Sequence, residues 1–243
     1  MIRVNTAIGR YYNGKHGLVP SVNTVLSVLN NPFIKQWAIK GSVNAAINLM
    51  NADTRDTDRI FREAANWSEN YKNYAMSIGS TVHKMIEDWI RAGSYDYQAS
   101  LSLVKTITEQ EVRNAFGAFL SWSLDVEPKY AACELIGESQ LGYAGTCDAI
   151  VDIDGTRYLV DFKTSNRLQD SYVIQVAAYR RMFNECGWNI QYGALLRLDK
   201  KKGKYQWKPI SAEEDASAFA RFECLLKYWL LTYGDRREHL SKQ

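Results

Sequence analysis

The sequence predicts an α/β protein: a mixed central β-sheet flanked by helices, with an N-terminal helical part packed on it. Three observations lead there. Apolar residues recur at helical spacing as far as Pro128 and alternate after it. Asp154-Gly155 separates two alternating runs, which is a strong hairpin signal. Beyond that hairpin the pattern runs helix, hairpin, helix, an order that suits one α/β domain.

Taken in order, Pro20-Ser21-Val22 opens a short apolar helix over residues 20–30, with a polar cap after a proline. A second helix is expected from Phe33 to Met50. Residues 51–70 are charged and rich in Asn, and fit either a helix or an exposed segment. From Ile78 the spacing of Val82, Ile86, Trp89 and Ile90 is helical, and Ala92-Gly93 ends it. Another helix is expected over 108–123, with Val112, Phe116, Phe119 and Leu120 on one stripe. Residues 131–164 read as three strands, turning at Gly142 and at Asp154-Gly155. A helix is expected over 170–186, then a hairpin of 190–198 and 204–210. Ser211 and Glu214 form a capping box for a last helix. Phe219, Phe222, Leu226, Trp229 and Tyr233 give that helix its core stripe.

Composition narrows the class. The 243 residues are 46% hydrophobic and 23% charged, enough apolar side chain for a sizeable core. No apolar run approaches the ~18 residues of a membrane span, and the N-terminus lacks a signal or transit pattern. A cytoplasmic protein without a membrane partner is therefore expected. Thirty basic and 27 acidic residues exclude a histone-like polycation but not a local basic groove. Cys133, Cys147, Cys186 and Cys224 match no zinc or iron–sulfur spacing and are expected as reduced thiols.

The hairpin carries chemistry. With Asp154-Gly155 at the turn centre, Ile153 faces Thr156, Asp152 faces Arg157, and Ile150 faces Leu159. Continued, the register sets Asp148 opposite Asp161, and Lys163 shares the Asp161 face. Opposed carboxylates repel unless a proton, a basic neighbour or a cation compensates. Lys163 is one compensation; Mg²⁺ or Mn²⁺, which favour carboxylate oxygens, is another. A solvated sheet face with a Lys–Asp pair satisfies the same spacing. Asp152 and Arg157 read as a plain cross-strand pair.

His83 and Glu87 lie four apart on one side of their helix, bordering its apolar stripe. A lone helical histidine is more often structural. Gln175 and Tyr179 form a similar pair on the helix after Lys163.

Together these residues resemble the PD-(D/E)XK nuclease superfamily, on its RecB-like exonuclease branch. The pattern there is G-x-x-x-H-x-x-x-E, then G-x-x-D, then D-x-K, then Q-x-x-x-Y. Here it reads Gly79…His83…Glu87, Gly145-Thr146-Cys147-Asp148, Asp161-Phe162-Lys163 and Gln175…Tyr179, all in order. Arg10-Tyr11-Tyr12 and Pro20-Ser21-Val22-Asn23-Thr24-Val25-Leu26 are similar to an N-terminal segment of mitochondrial genome maintenance exonucleases and phage-encoded relatives.

The resemblance implies a restriction-endonuclease-like sheet and one nuclease domain over 1–243. Residues 1–77 would form a helical arch or lid, and 78–243 the catalytic core. It implies a metal-dependent DNA exonuclease acting on single-stranded ends in processing, recombination or repair. The catalytic set would be His83, Asp148, Asp161, Lys163, Gln175 and Tyr179. His83, Asp148 and Asp161 would hold Mg²⁺ or Mn²⁺. Glu87 and Glu134 would support them or hold a second ion. No iron–sulfur cluster is expected, since the C-terminal cysteine group of the cluster-bearing relatives is missing. Arg10, Tyr11, Ser21, Thr164, Lys201 and Lys202 would contact DNA. Other recombination or replication proteins are further candidate partners, in a bacterial or phage-infected cell. An arch would suit Tyr11, Tyr12, Trp37, Trp67, Tyr71 and Tyr74, interleaved with Arg10, Lys15, Lys35, Lys40, Arg55, Arg59, Arg62 and Lys72. Ordinary core aromatics with solvated cations give the same pattern. A structure-specific endonuclease, or an inactive nucleic-acid-binding module of the same fold, is the alternative.

Overall fold

The structure is a computed structural model. It describes residues 1–6, 9–29, 32–52, 56–93 and 96–234, without the side chains of 32–35. Of the expected basic residues, Arg55 and the Lys35 side chain lie outside the described residues. Two compact units make up the chain: Met1–Val28 with Val82 onward, and Leu29–Thr81. Among the described residues no helix is long and apolar enough to cross a membrane.

In the larger unit, β4 (Lys129–Ser139), β5 (Tyr143–Ile153), β6 (Thr156–Lys163), β7 (Tyr192–Asp199) and β8 (Lys204–Pro209) form a five-stranded sheet in that order. Only β6 and β7 are parallel, and the helix between them, α6 (Asp170–Glu185), makes the crossover. The fold is thus α/β with a mixed sheet between helices.

Alternation along the strands sorts the two faces. Leu159 and Leu195 join a core with Val176, Ala177, Tyr179 and Met182 of α6 and Phe222 and Trp229 of α7 (Ala212–Tyr233). Gly193 lets β7 lie close under α6, since a Cβ there would sit 2.3 Å from Val176. On the other face, Phe162 meets Phe119 at 5.7 Å and Trp207 stacks on Trp122 at 5.4 Å, both partners coming from α5 (Gln110–Val126). Ser211 caps α7 by accepting the Glu214 N–H, while the Glu214 carboxylate takes Lys208 Nζ at 2.7 Å. Half of the expected capping box therefore forms.

Strands over residues 2–20 are not among the sequence expectations. β1 (Ile2–Thr6), β2 (Gly9–Gly14) and β3 (Gly17–Pro20) make an antiparallel sheet beside α1 (Val22–Leu26). It joins the main sheet through the Ser21↔Ala144 bridge and a 2.9 Å hydrogen bond between the Tyr12 and Thr146 hydroxyls. Its β2–β3 turn is held by Glu138, whose carboxylate accepts from the N–H groups of Lys15 and His16 and pairs with the His16 ring. A helix α4 (Tyr97–Thr106) is likewise additional.

In the smaller unit, α2 (Pro32–Asn51) packs on the first part of α3 (Thr57–Ala92). Gly41 permits it: a Cβ there would meet the Trp67 ring at 1.8 Å. Trp37, Trp67 and Tyr71 contact one another with ring centroids 5.0–5.4 Å apart. The second part of α3, from Val82, belongs to the larger unit and ends where Gly93 turns left-handed (φ +64°).

Candidate active site

The site forms where β5 and β6 part. The turn register is Ile153↔Thr156, Asp152↔Arg157 and Ile150↔Leu159, and pairing runs as far as Ala149↔Val160. Beyond that pair a side chain replaces the ladder: Phe162 N–H donates to Asp148 Oδ2 at 2.6 Å. Asp148 is thereby fixed in the gap between the strands.

His83 reaches this gap from α3. Its Nε2 lies 3.1 Å from the Phe162 carbonyl oxygen, which can only accept, so Nε2 carries a proton. The other nitrogen, Nδ1, faces Asp148 Oδ1 at 3.3 Å. Burial disfavours the imidazolium, but the Asp148 charge and hydrogen bond, with Asp161 behind them, outweigh it and raise the ring to about 9. Burial also opposes the Asp148 charge, and His83 and Lys163 overcome that, holding the carboxyl below its usual range.

On the α6 face, Lys163 Nζ pairs with Asp161 Oδ2 at 2.6 Å and donates to Gln175 Oε1 at 2.9 Å. Gln175 Nε2 donates to the Tyr179 hydroxyl at 3.3 Å. Asp161 is 2% exposed. Its Oδ2 is close to the ammonium but lacks a well-aligned hydrogen bond, so it is a buried acceptor with unused capacity. Burial first, then the repulsion of Asp148, pushes its carboxyl up despite Lys163.

Glu134 completes the cluster. It falls opposite Asp148, between the pairs Cys133↔Ala149 and Leu135↔Cys147. Its backbone is left-handed (φ +49°), a strained conformation for a non-glycine residue inside a strand. Burial and the neighbouring Asp148 push its carboxyl up to about 7. Nothing in the residue pattern announces that backbone.

Ligand atoms of His83, Glu134 and Asp148 all lie within 4.8 Å of one another. The resemblance implies a metal on His83, Asp148 and Asp161, with Glu134 supporting them or holding a second ion. The geometry gathers His83, Asp148 and Glu134, and Asp161 is paired with Lys163 beside them. The donor set fits a divalent cation on three grounds. It offers one imidazole nitrogen and carboxylate oxygens. The Phe162 carbonyl orients the imidazole as an outer partner orients a metal ligand. Burial and the neighbouring Asp148 push the carboxyls of Glu134 and Asp161 up, and a bound cation would offset both.

The remaining expected residues separate. Glu87 pairs with Arg91 at 2.8 Å and Lys84 at 3.4 Å, outside the three-ligand group. Lys201 and Lys202 are exposed at the β7–β8 tip. Their N–H groups both donate to Asp199 Oδ1 at 3.0 Å, and Asn114 binds the carbonyls of Lys200 and Lys201. Arg10 and Thr164 are half-buried. Two expected DNA contacts are corrected. Tyr11 is 0% exposed and packs on Trp229 at 6.0 Å, so its ring is core and offers no face to a strand. Ser21 is 3% exposed and caps α1 through the Thr24 N–H. Of the N-terminal aromatics, Tyr12 is buried, Trp67 stacks on Tyr71, and Trp37 meets both rings at a tilt or edge-on.

No protein-family model and no curated protein matches the sequence. Among solved structures, the chain is similar to the alkaline exonuclease LHK-Exo of Laribacter hongkongensis. The TM-score is 0.39 and the identity 15%, over 51% of this chain and 67% of that one. LHK-Exo in complex with dAMP matches with the same figures.

Proposed function

We propose that this chain is a metal-dependent DNA exonuclease that hydrolyses phosphodiester bonds at single-stranded ends. The observation that carries the reading is one cluster holding His83, Glu134, Asp148, Asp161 and Lys163 where two strands part.

His83, Glu134 and Asp148 would hold a divalent cation, Mg²⁺ or Mn²⁺, with Asp161 beside them and paired to Lys163. A bound divalent cation supplies polarisation of the phosphoryl group and a water of lowered pKa. Lys163 sits between a carboxylate and an amide oxygen as a donor, so it orients water and stabilises charge developing on the phosphate. The water oxygen joins phosphorus and gives up one proton to solvent, the ester P–O bond breaks, and the leaving oxygen takes a proton from solvent, so that water is added across the bond. Gln175 fixes Lys163, and Tyr179 fixes Gln175. Lys201 and Lys202, on a tip braced by Asp199 and Asn114, contact phosphates further along the strand, with Arg10 and Thr164 nearer the core.

The test is cleavage of end-labelled linear and circular single-stranded DNA with Mn²⁺. Loss of the linear strand alone is expected. Cutting of the circle would replace the exonuclease by an endonuclease, and retention of both would reject hydrolysis of DNA.

A further inference from the structure

We infer that Tyr172 is a positioning residue for Lys163, an inference that rests on the nuclease reading. Lys163 Nζ lies 4.6 Å from the centroid of the Tyr172 ring, over its face. With Asp161 Oδ2 at 2.6 Å and Gln175 Oε1 at 2.9 Å, the ring closes a third side of the ammonium. An ion pair and one aligned hydrogen bond still let the ammonium turn about its last bonds. A ring face adds attraction without demanding one N–H direction, and it excludes water from that side.

The placement follows from α6. Residues at i, i+3 and i+7 share one helix face, and here they are Tyr172, Gln175 and Tyr179. Gln175 and Tyr179 are buried at 6% and 4% exposure, and Tyr172 is half-buried in the first helical turn. The row therefore runs from buried phenol, through amide, to a ring at the edge of the site, with the ammonium against its outer half. In this chain the row reads Y-x-x-Q-x-x-x-Y, with Tyr172 as the wall beside Lys163. The role assigned here rests on the Tyr172 ring face and not on its hydroxyl, which separates it from a hydrogen-bonding one.

The experiment measures kcat and KM for end-labelled single-stranded DNA with Mn²⁺, for wild type, Tyr172→Phe and Tyr172→Leu. It adds the ¹H NMR position of the Lys163 ε-methylene, which a ring face moves upfield. Tyr172→Leu is expected to lower kcat about tenfold with KM nearly unchanged, and Tyr172→Phe to stay within about twofold of wild type. The upfield position is expected in wild type and Tyr172→Phe and lost in Tyr172→Leu. An unchanged kcat in Tyr172→Leu would overturn the inference, as would an equal loss in Tyr172→Phe or a change confined to KM. Should Tyr172→Leu not fold, Tyr172→Gln takes its place at this half-buried position. If wild type cleaves nothing, the nuclease reading fails by itself. The resonance then decides the positioning, and an upfield shift persisting without the ring would refute it.

Discussion

The His83 ring and the Phe162 main chain are joined by a 3.1 Å hydrogen bond from Nε2 to the carbonyl oxygen, which leaves Nδ1 turned on Asp148. One residue of β6 thus serves both partners, since its N–H holds the Asp148 carboxylate at 2.6 Å. A helix imidazole and a strand carboxylate are set by the same peptide unit or its neighbour, before any cation binds.

If that arrangement holds the proposed cation, metal affinity depends on each ligand. Mn²⁺ at about 100 times its dissociation constant stabilises the folded state by ~2.7 kcal/mol, or roughly 5–10 °C in Tm for a chain of this size. Thermal scans with and without Mn²⁺ are expected to show this rise in wild type. It should be absent or much reduced in His83→Ala, Glu134→Gln and Asp148→Asn. An undiminished rise in Glu134→Gln would remove Glu134 from the ligand set.

The proposed mechanism has Lys163 act on the phosphate and not on the cation. Lys163→Met is expected to lower kcat by about 10²–10³, the cost of losing one charge-stabilising donor. The Mn²⁺-induced rise in Tm should survive. Metal titration alongside single-turnover cleavage separates the two effects.

Gly145 explains the spacing of the G-x-x-D motif. A Cβ there would lie 2.4 Å from Tyr179 Cε1, so the glycine lets β5 pass under α6. Gly145→Ala is expected to cost ~1–3 kcal/mol through overpacking and to lower kcat by moving Tyr179. Gly155→Ala strains a left-handed turn residue (φ +77°) for about 1–2 kcal/mol. It should leave kcat alone. Urea unfolding and cleavage rates of the two variants make the comparison.

Asp199 gives a pH dependence remote from the site. Burial opposes its charge, but N–H groups of Lys202 and Lys201, with Arg197, outweigh burial and hold the carboxyl below its ordinary 3.8. A carboxyl depressed in the folded state contributes stability above its unfolded pKa and loses it as pH falls through the lower folded value. Asp199→Asn should therefore lower the urea midpoint at pH 6 and flatten its decline between pH 4 and the acid limit. A parallel decline in variant and wild type would contradict this.

Much of the site was legible because a two-residue turn fixes register. Asp154-Gly155 set Asp152 against Arg157, and the pair is joined at 2.8 Å. The same counting put Asp161 and Lys163 on one face, where they meet at 2.6 Å. Counting fails beyond Ala149↔Val160, where the strands part and Asp148 bonds a main-chain N–H instead of standing opposite Asp161. The left-handed backbone of Glu134 inside a strand has no sequence signature. Alternation in Ile2-Arg3-Val4-Asn5 marks β1, but over so few residues it is a weak signal. Tyr11 and Ser21 show the limit of motif reading: a strand placed beside α1 turns both inward.

The most direct measurement of the central claim uses protein stripped with EDTA and end-labelled DNA, restored with Mg²⁺ or Mn²⁺, for wild type, Asp148→Asn and Asp161→Asn. The expected result is release of labelled product by wild type only, dependent on the added ion. Cleavage that persists in EDTA, or that proceeds unchanged in either variant, would contradict the assignment of the reaction to this cluster.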